Sequence, residues 1–189
     1  MNDKQVITVV TGLPRSGTSL MMQILNKSGM DILSDGVRQK DISNPEGYYE
    51  FEAVKGIVRD NSFLKTASGK VVKIVAPLPI YLDKSLNYRV IFMRRDIEEV
   101  LRSQEKMLNK DQVSEREKFR TIYEFHLKKT YQFFHLNKID YIDVHYKDLF
   151  NDEEEQLSKI LQFLDISTSV SELKGVVRND LYRNKSNLL

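Results

Sequence analysis

Between an apolar run and a helix-like stripe the chain carries Gly12-Leu13-Pro14-Arg15-Ser16-Gly17-Thr18-Ser19. Glycines let backbone N–H groups curl around an anion. The N-terminus of a following helix adds unpaired donors and a partial positive charge. Thr18 and Ser19 add hydroxyl donors, and Arg15 adds a full charge on a planar fork. The plainer reading is a turn that merely joins a strand to a helix, but the density of donors in that context favours anion binding. Gly12 and Gly17 have the spacing of a GxxxxGK[ST] phosphate loop. Thr18, however, stands where the lysine that bridges the terminal phosphates of a nucleoside triphosphate belongs. That departure counts against ATP or GTP chemistry and for an anion held without a metal.

A strand–helix alternation must position this loop. Residues 5–10 form a β-branched run, and 18–27 form a helix with Leu20, Met21, Ile24 and Leu25 on one stripe. Residues 30–47 read as loop, with Asn44-Pro45-Glu46-Gly47 as a turn signal. A helix is expected to start within 49–64, then strands over 70–75 and 88–93, the first stopped by Pro77 and Pro79. Asp96 reads as an N-cap with Glu99 three residues on, opening a helix that buries Ile97, Val100, Leu101 and Leu108. A long helix over 114–136 and a strand over 140–144 follow. A last helix opens at Asn151 or Asp152, with Leu157, Ile160, Leu161 and Leu164 inward. Apolar strands separated by helices make parallel βαβ units. The expected fold class is α/β: one three-layer, doubly wound domain over 1–189, with a central parallel sheet of about four to five strands. Ligands in such sheets lie at the carboxyl ends of the strands.

Composition narrows the function. The chain has 189 residues, 41% apolar and 30% charged, which suits a soluble globular protein. Lys and Arg number 29 against 27 Asp and Glu, a net +2, which argues against a nucleic-acid polymer as partner. There is no cysteine, so disulfides, thiolate metal sites and a cysteine nucleophile are excluded. His126, His135 and His145 have no metal-ligand spacing, and no metal site is expected. No apolar run reaches the ~20 residues of a membrane span. The opening MNDKQVITVV lacks the layout of a signal peptide, so the expected compartment is the cytoplasm.

The segment GLPRSGTSLMMQIL resembles the 5′-phosphosulfate loop of sulfotransferases that use 3′-phosphoadenosine-5′-phosphosulfate (PAPS). The family's second motif is a strand ending in Arg with Ser eight residues later. RVIFMRRDIEEVLRSQ supplies it with Arg95 and Ser103. The resemblance implies that these two bind the 3′-phosphate of the donor and of its product PAP, while 14–19 hold the phosphosulfate through Pro14, Arg15, Ser16, Gly17, Thr18 and Ser19. Without that context Arg95 would read as a surface ion-pair partner and Ser103 as a solvated helix residue. IDVHYKDLF resembles the family's strand ending in Tyr, which places Tyr146 near the adenine or, equally, at the end of the core. NPEGYYEFEAV is similar to a segment of bacterial members of the superfamily.

The resemblance also implies the chemistry. Sulfuryl transfer needs donor and acceptor in line, a base for the acceptor's proton and a cation at the leaving phosphate. VVKIVAP resembles the Lys-x-x-x-Pro segment of cytosolic sulfotransferases, so Lys73 is the implied cation, with Arg15 beside it. The alternative for Lys73 is an edge-strand lysine kept for solubility. The cytosolic enzymes place their catalytic His where this chain has Val75, which cannot accept a proton. Other branches use a Glu. Glu50 is the first choice here, with Glu46 and Glu52 as rivals.

Nor does the cytosolic family's C-terminal clamp occur. Leu181-Tyr182-Arg183-Asn184 reads either as its substitute, with Arg183 or Lys185 on the anion, or as a solvated tail. The length is short for the family, which leaves the acceptor pocket minimal or completed by a partner or a second subunit, as in a homodimer. The acceptor is a small molecule or carbohydrate bearing a hydroxyl or amine. Tyr48, Tyr49 and Phe51 offer a stacking surface or simply core. Two other functions stand beside sulfation: a phosphoryl-transferring kinase on the same loop, and a nucleotide-binding module without a base.

Overall fold

The computed structural model describes residues 6–39, 47–109, 113–178 and 182. Its centre is a four-stranded, all-parallel sheet in the order β2-β1-β3-β4. The strands are β1 (Val6–Gly12), β2 (Val71–Lys73), β3 (Asn87–Arg94) and β4 (Asp140–His145). From β1 the chain turns to one side to form β2, then crosses back to form β3 and β4 on the other. The order therefore reverses beside the carboxyl end of β1, which is where open parallel sheets take ligands.

Helices cover both faces, as the expected α/β class requires. They are α1 (Thr18–Lys27), α2 (Ile97–Leu108), α3 (Arg116–Leu136), α4 (Asp148–Asn151), α5 (Glu153–Leu164) and α6 (Val170–Leu173). Successive strand residues point to opposite faces. Val10, Ile91, Met93 and Val144 pack with α1 and with Leu157, Ile160, Leu161 and Leu164 of α5. Val9, Val72, Val90 and Phe92 pack on the other side with Phe134 of α3. Strands buried on both sides have no solvent face to alternate toward, hence their unbroken apolar runs. A third cluster at the carboxyl end joins Leu13 of the loop to Val100 and Leu101 of α2 and Tyr123 of α3.

Two local expectations change. The helix expected within 49–64 is absent; the chain makes two short 3-10 turns, Glu52–Gly56 and Ser62–Thr66. Gly56 and the Asp60-Asn61 pair break the propensity for a longer helix, and Asp60 Oδ1 accepts from the Ser62 N–H in a local turn just before the second one. Leu108, expected inside, is exposed in the last turn of α2. The Asp96 cap forms as expected, its Oδ1 accepting from the Glu99 N–H at 3.2 Å. The Glu99 side chain does not return to close the capping box; it turns to Arg95 instead.

Candidate functional site

The loop from β1 to α1 packs tightly at the sheet's carboxyl edge. A Cβ on Gly12 would lie 2.5 Å from the Met93 carbonyl oxygen and 2.5 Å from Ser16 Oγ. A Cβ on Gly17 would lie 2.3 Å from Cδ2 of Tyr146, at a backbone φ of +100°. Only glycine fits either place. The Ser16 N–H closes the turn onto the Leu13 carbonyl at 3.2 Å. Gly17 is the N-cap of α1, and no side chain caps that helix. Its first-turn N–H groups therefore lack the side-chain acceptor that usually serves them. Ser16 is 1% exposed, and its hydroxyl has no hydrogen-bond partner among the described residues. A buried hydroxyl left unpaired beside a helix N-terminus fits an anion that completes both. Thr18 is buried in the first turn, while Pro14 and Ser19 are half-buried at the loop's two ends.

Arg15, Arg95 and Ser103 meet at this loop. Arg15 adopts φ +68°, unusual for a non-glycine residue, and its Nε donates to Ser103 Oγ at 3.1 Å. Its Nη1 reaches the Met107 sulfur at 3.6 Å. Arg95 donates from Nη1 to the Arg15 carbonyl at 3.1 Å and from Nε to Glu99 Oε2 at 2.9 Å. The Arg95–Glu99 pair is sealed, with side-chain exposures of 7% and 3%. Tyr146 is also buried, packed on Gly17 with the Arg95 guanidinium 4.3 Å from its ring centroid. Its ring contacts Phe150 and Tyr182, so in this structure it closes the core at the strand end.

Beside the loop, at the carboxyl end of β2, lies the second half of the site. Lys73 has a side chain only 4% exposed, so it is no solubility lysine. The outer edge of β2 is itself covered, since the Leu33 N–H donates to the Val71 carbonyl at 2.8 Å. Lys73 Nζ donates to the Tyr48 carbonyl and to Glu50 Oε1, the latter at 3.5 Å. Burial pulls the Lys73 amine down to about 8, against the opposing pull of Glu50, and the charges of Arg38 and Arg15 push the same way as burial. Arg38 donates to the same Glu50 oxygen at 2.8 Å and lies 3.5 Å above the Tyr48 ring centroid. Glu50 thus sits beside Lys73, whereas Glu52 pairs with Lys55 at 2.7 Å in solvent. Tyr49 and Phe51 join the cores, and Tyr48 is buried.

Glu46, Arg183 and Lys185 lie outside the described residues. Sequence reasoning missed three participants. Glu99 was legible as an i,i+4 partner of Arg95 but had been assigned only to the cap. Arg38 carries no signal, because its contact with Glu50 is made from a loop that first pairs along the outer edge of β2. Tyr182 carries no signal of its own within the segment that reads as a substitute clamp or a solvated tail. A cavity of about 240 Å³ lies elsewhere, lined by Gln23, Lys27, Tyr49, Gly175, Val176 and Arg178. Among the described residues no group of three or more His, Asp or Glu could hold a metal ion.

Residues 87–170 match the family model described as "Sulfotransferase family". That segment runs from β3 through α2 and α3 to β4 and α5, and includes Arg95, Ser103 and Tyr146. The match agrees with the likeness to sulfotransferases read from the Arg95–Ser103 spacing; the loop at 12–19 lies outside it. Among solved structures, the "Sulfotransferase Domain from the Synechococcus PCC 7002 Olefin Synthase" is 14% identical. That comparison covers 97% of this chain and 81% of the other, with a TM-score of 0.47. No curated protein matches the chain.

Proposed function

We propose that the chain is a PAPS-dependent sulfotransferase acting on a hydroxyl or amine of a small-molecule or carbohydrate acceptor, with Glu50 as general base. The observation that carries this reading is the Lys73–Glu50 pair, a buried amine 3.5 Å from a carboxylate next to the anion loop. It supplies a proton acceptor where Val75 replaces the histidine of the cytosolic enzymes.

The donor, when bound, supplies a sulfuryl group attached to a phosphate leaving group. The loop residues Pro14, Arg15, Ser16, Gly17, Thr18 and Ser19 bind that phosphate end through N–H groups, the Ser16 hydroxyl and the Arg15 charge. Arg95 and Ser103 serve the 3′-phosphate. Tyr146 sits between Gly17 and Arg95, and Arg183 is the candidate for the missing C-terminal clamp. Lys73 presents its ammonium to the charge that builds on the leaving phosphate. Glu50 Oε1 is held by Arg38 and Lys73, which leaves Oε2 as the atom that takes the acceptor's proton.

Binding separates this reading from the kinase alternative. The product PAP should raise the melting temperature without magnesium, and ATP should do much less. Stabilisation by ATP only when magnesium is added would overturn the sulfotransferase reading in favour of phosphoryl transfer.

A further inference from the structure

Three contacts link Tyr182 to the anion loop, and a fourth ties the loop to α2. The Tyr182 hydroxyl donates to Glu99 Oε1 at 3.1 Å. The other carboxylate oxygen of Glu99 accepts from Arg95 Nε at 2.9 Å. Arg95 Nη1 donates to the Arg15 carbonyl at 3.1 Å, and Arg15 Nε donates to Ser103 Oγ at 3.1 Å. Each contact has a physical reason. A carboxylate only 3% exposed needs its oxygens paired, and Arg95 and Tyr182 are among the partners that do so. Arg15 holds a left-handed backbone, φ +68°, which a non-glycine residue keeps only when its surroundings impose it. The hydrogen bond from Arg95 falls on the carbonyl of that residue. The ring of Tyr182 is itself fixed, 5.1 Å from the Tyr146 centroid and 4.9 Å from that of Phe150.

We infer that Tyr182 is a positioning residue for the donor loop. Its hydroxyl fixes Glu99, Glu99 aims Arg95, and Arg95 holds Arg15 in the conformation that opens the loop's N–H groups to the anion. Seating of Tyr182 on Glu99 and formation of the anion site are then one event. The consequence for nucleotide affinity rests on the donor-site reading above; the consequence for the loop itself does not.

The test is amide hydrogen exchange at Ser16, whose N–H is bonded to the Leu13 carbonyl, in the nucleotide-free protein, paired with calorimetric titration of PAP. Tyr182→Phe keeps the ring contacts and removes only the hydroxyl. It should speed exchange at this amide about tenfold and weaken PAP by a similar factor, the scale of one hydrogen bond to a buried charge, with β1 protection unchanged. Glu99→Ala should do the same, while Glu99→Gln, which can still accept from Arg95 and donate to the Tyr182 oxygen, should restore most of the protection. Loop exchange unchanged in both Tyr182→Phe and Glu99→Ala would overturn the inference. Wild-type protein that fails to bind PAP, yet shows the exchange pattern, would overturn the donor reading and leave the relay standing.

Discussion

In the proposed mechanism the chemistry rests on two side chains, Glu50 and Lys73. Their roles predict different responses. Glu50→Gln removes the proton acceptor but keeps the shape, so kcat should fall by roughly 10²–10⁴ while PAP affinity stays within about twofold. Full turnover in steady-state assays of this variant would assign the base elsewhere. Lys73 predicts a pH dependence. Its amine loses its proton near pH 8 in the free protein, because burial disfavours the charged form. An anion binds the protonated form better, so ligand binding and protonation are linked. PAP affinity should be flat below pH 8 and fall above it, by up to about tenfold per pH unit, reaching a plateau only where the bound form also titrates. Lys73→Arg should move that fall to higher pH, since a guanidinium keeps its charge. Isothermal titration from pH 6.5 to 9.5 reads both effects.

Among the elements, the loop between β1 and α1 is the part on which the proposed donor binding turns. Its glycines are set by close approach as much as by backbone freedom. Gly17→Ala would drive a methyl carbon into the Tyr146 ring at a φ that L-residues rarely adopt. Denaturant unfolding should show a loss of about 2 kcal/mol or more, and PAP binding should be lost with it. Gly56→Ala is the control, because nothing lies within 4 Å of its added Cβ. It should change stability by less than about 0.5 kcal/mol. The elements also show how far the sequence reached. The four strands, α1, α2, α3 and α5 follow from apolar periodicity and from caps such as Asp96, because those signals are local. The 49–64 stretch misled because its apolar residues serve two separate 3-10 turns, and periodicity alone cannot locate the break.

At the scale of the whole molecule, the sheet order brings loops distant in sequence to one edge. Arg15, Lys73 and Arg95 follow β1, end β2 and follow β3, so the parallel sheet puts all three cations at its carboxyl side. A total charge of only +2 is compatible with that local concentration. Ligand-linked stability is the corresponding prediction. At ~100 times its dissociation constant PAP should stabilise the fold by about 2.7 kcal/mol. For a chain of this size that corresponds to a rise of roughly 5–10 °C in Tm, measurable by scanning fluorimetry without magnesium.

The α/β class, the glycine loop with its hydroxyls and Arg15, and the Arg95–Ser103 spacing are legible in the sequence, because each is written in nearby residues. The sequence also names Glu50 and Lys73 as candidates. Only the tertiary structure decided that these two are 3.5 Å apart, that Lys73 is buried and that Arg38 shares the same carboxylate. Only it paired Arg95 with Glu99 and brought Tyr182 to that pair across 83 residues of chain. The physical reason is one of range. Turn chemistry and periodicity act over a few residues, whereas the partners of a buried charge are chosen by which segments the sheet brings together.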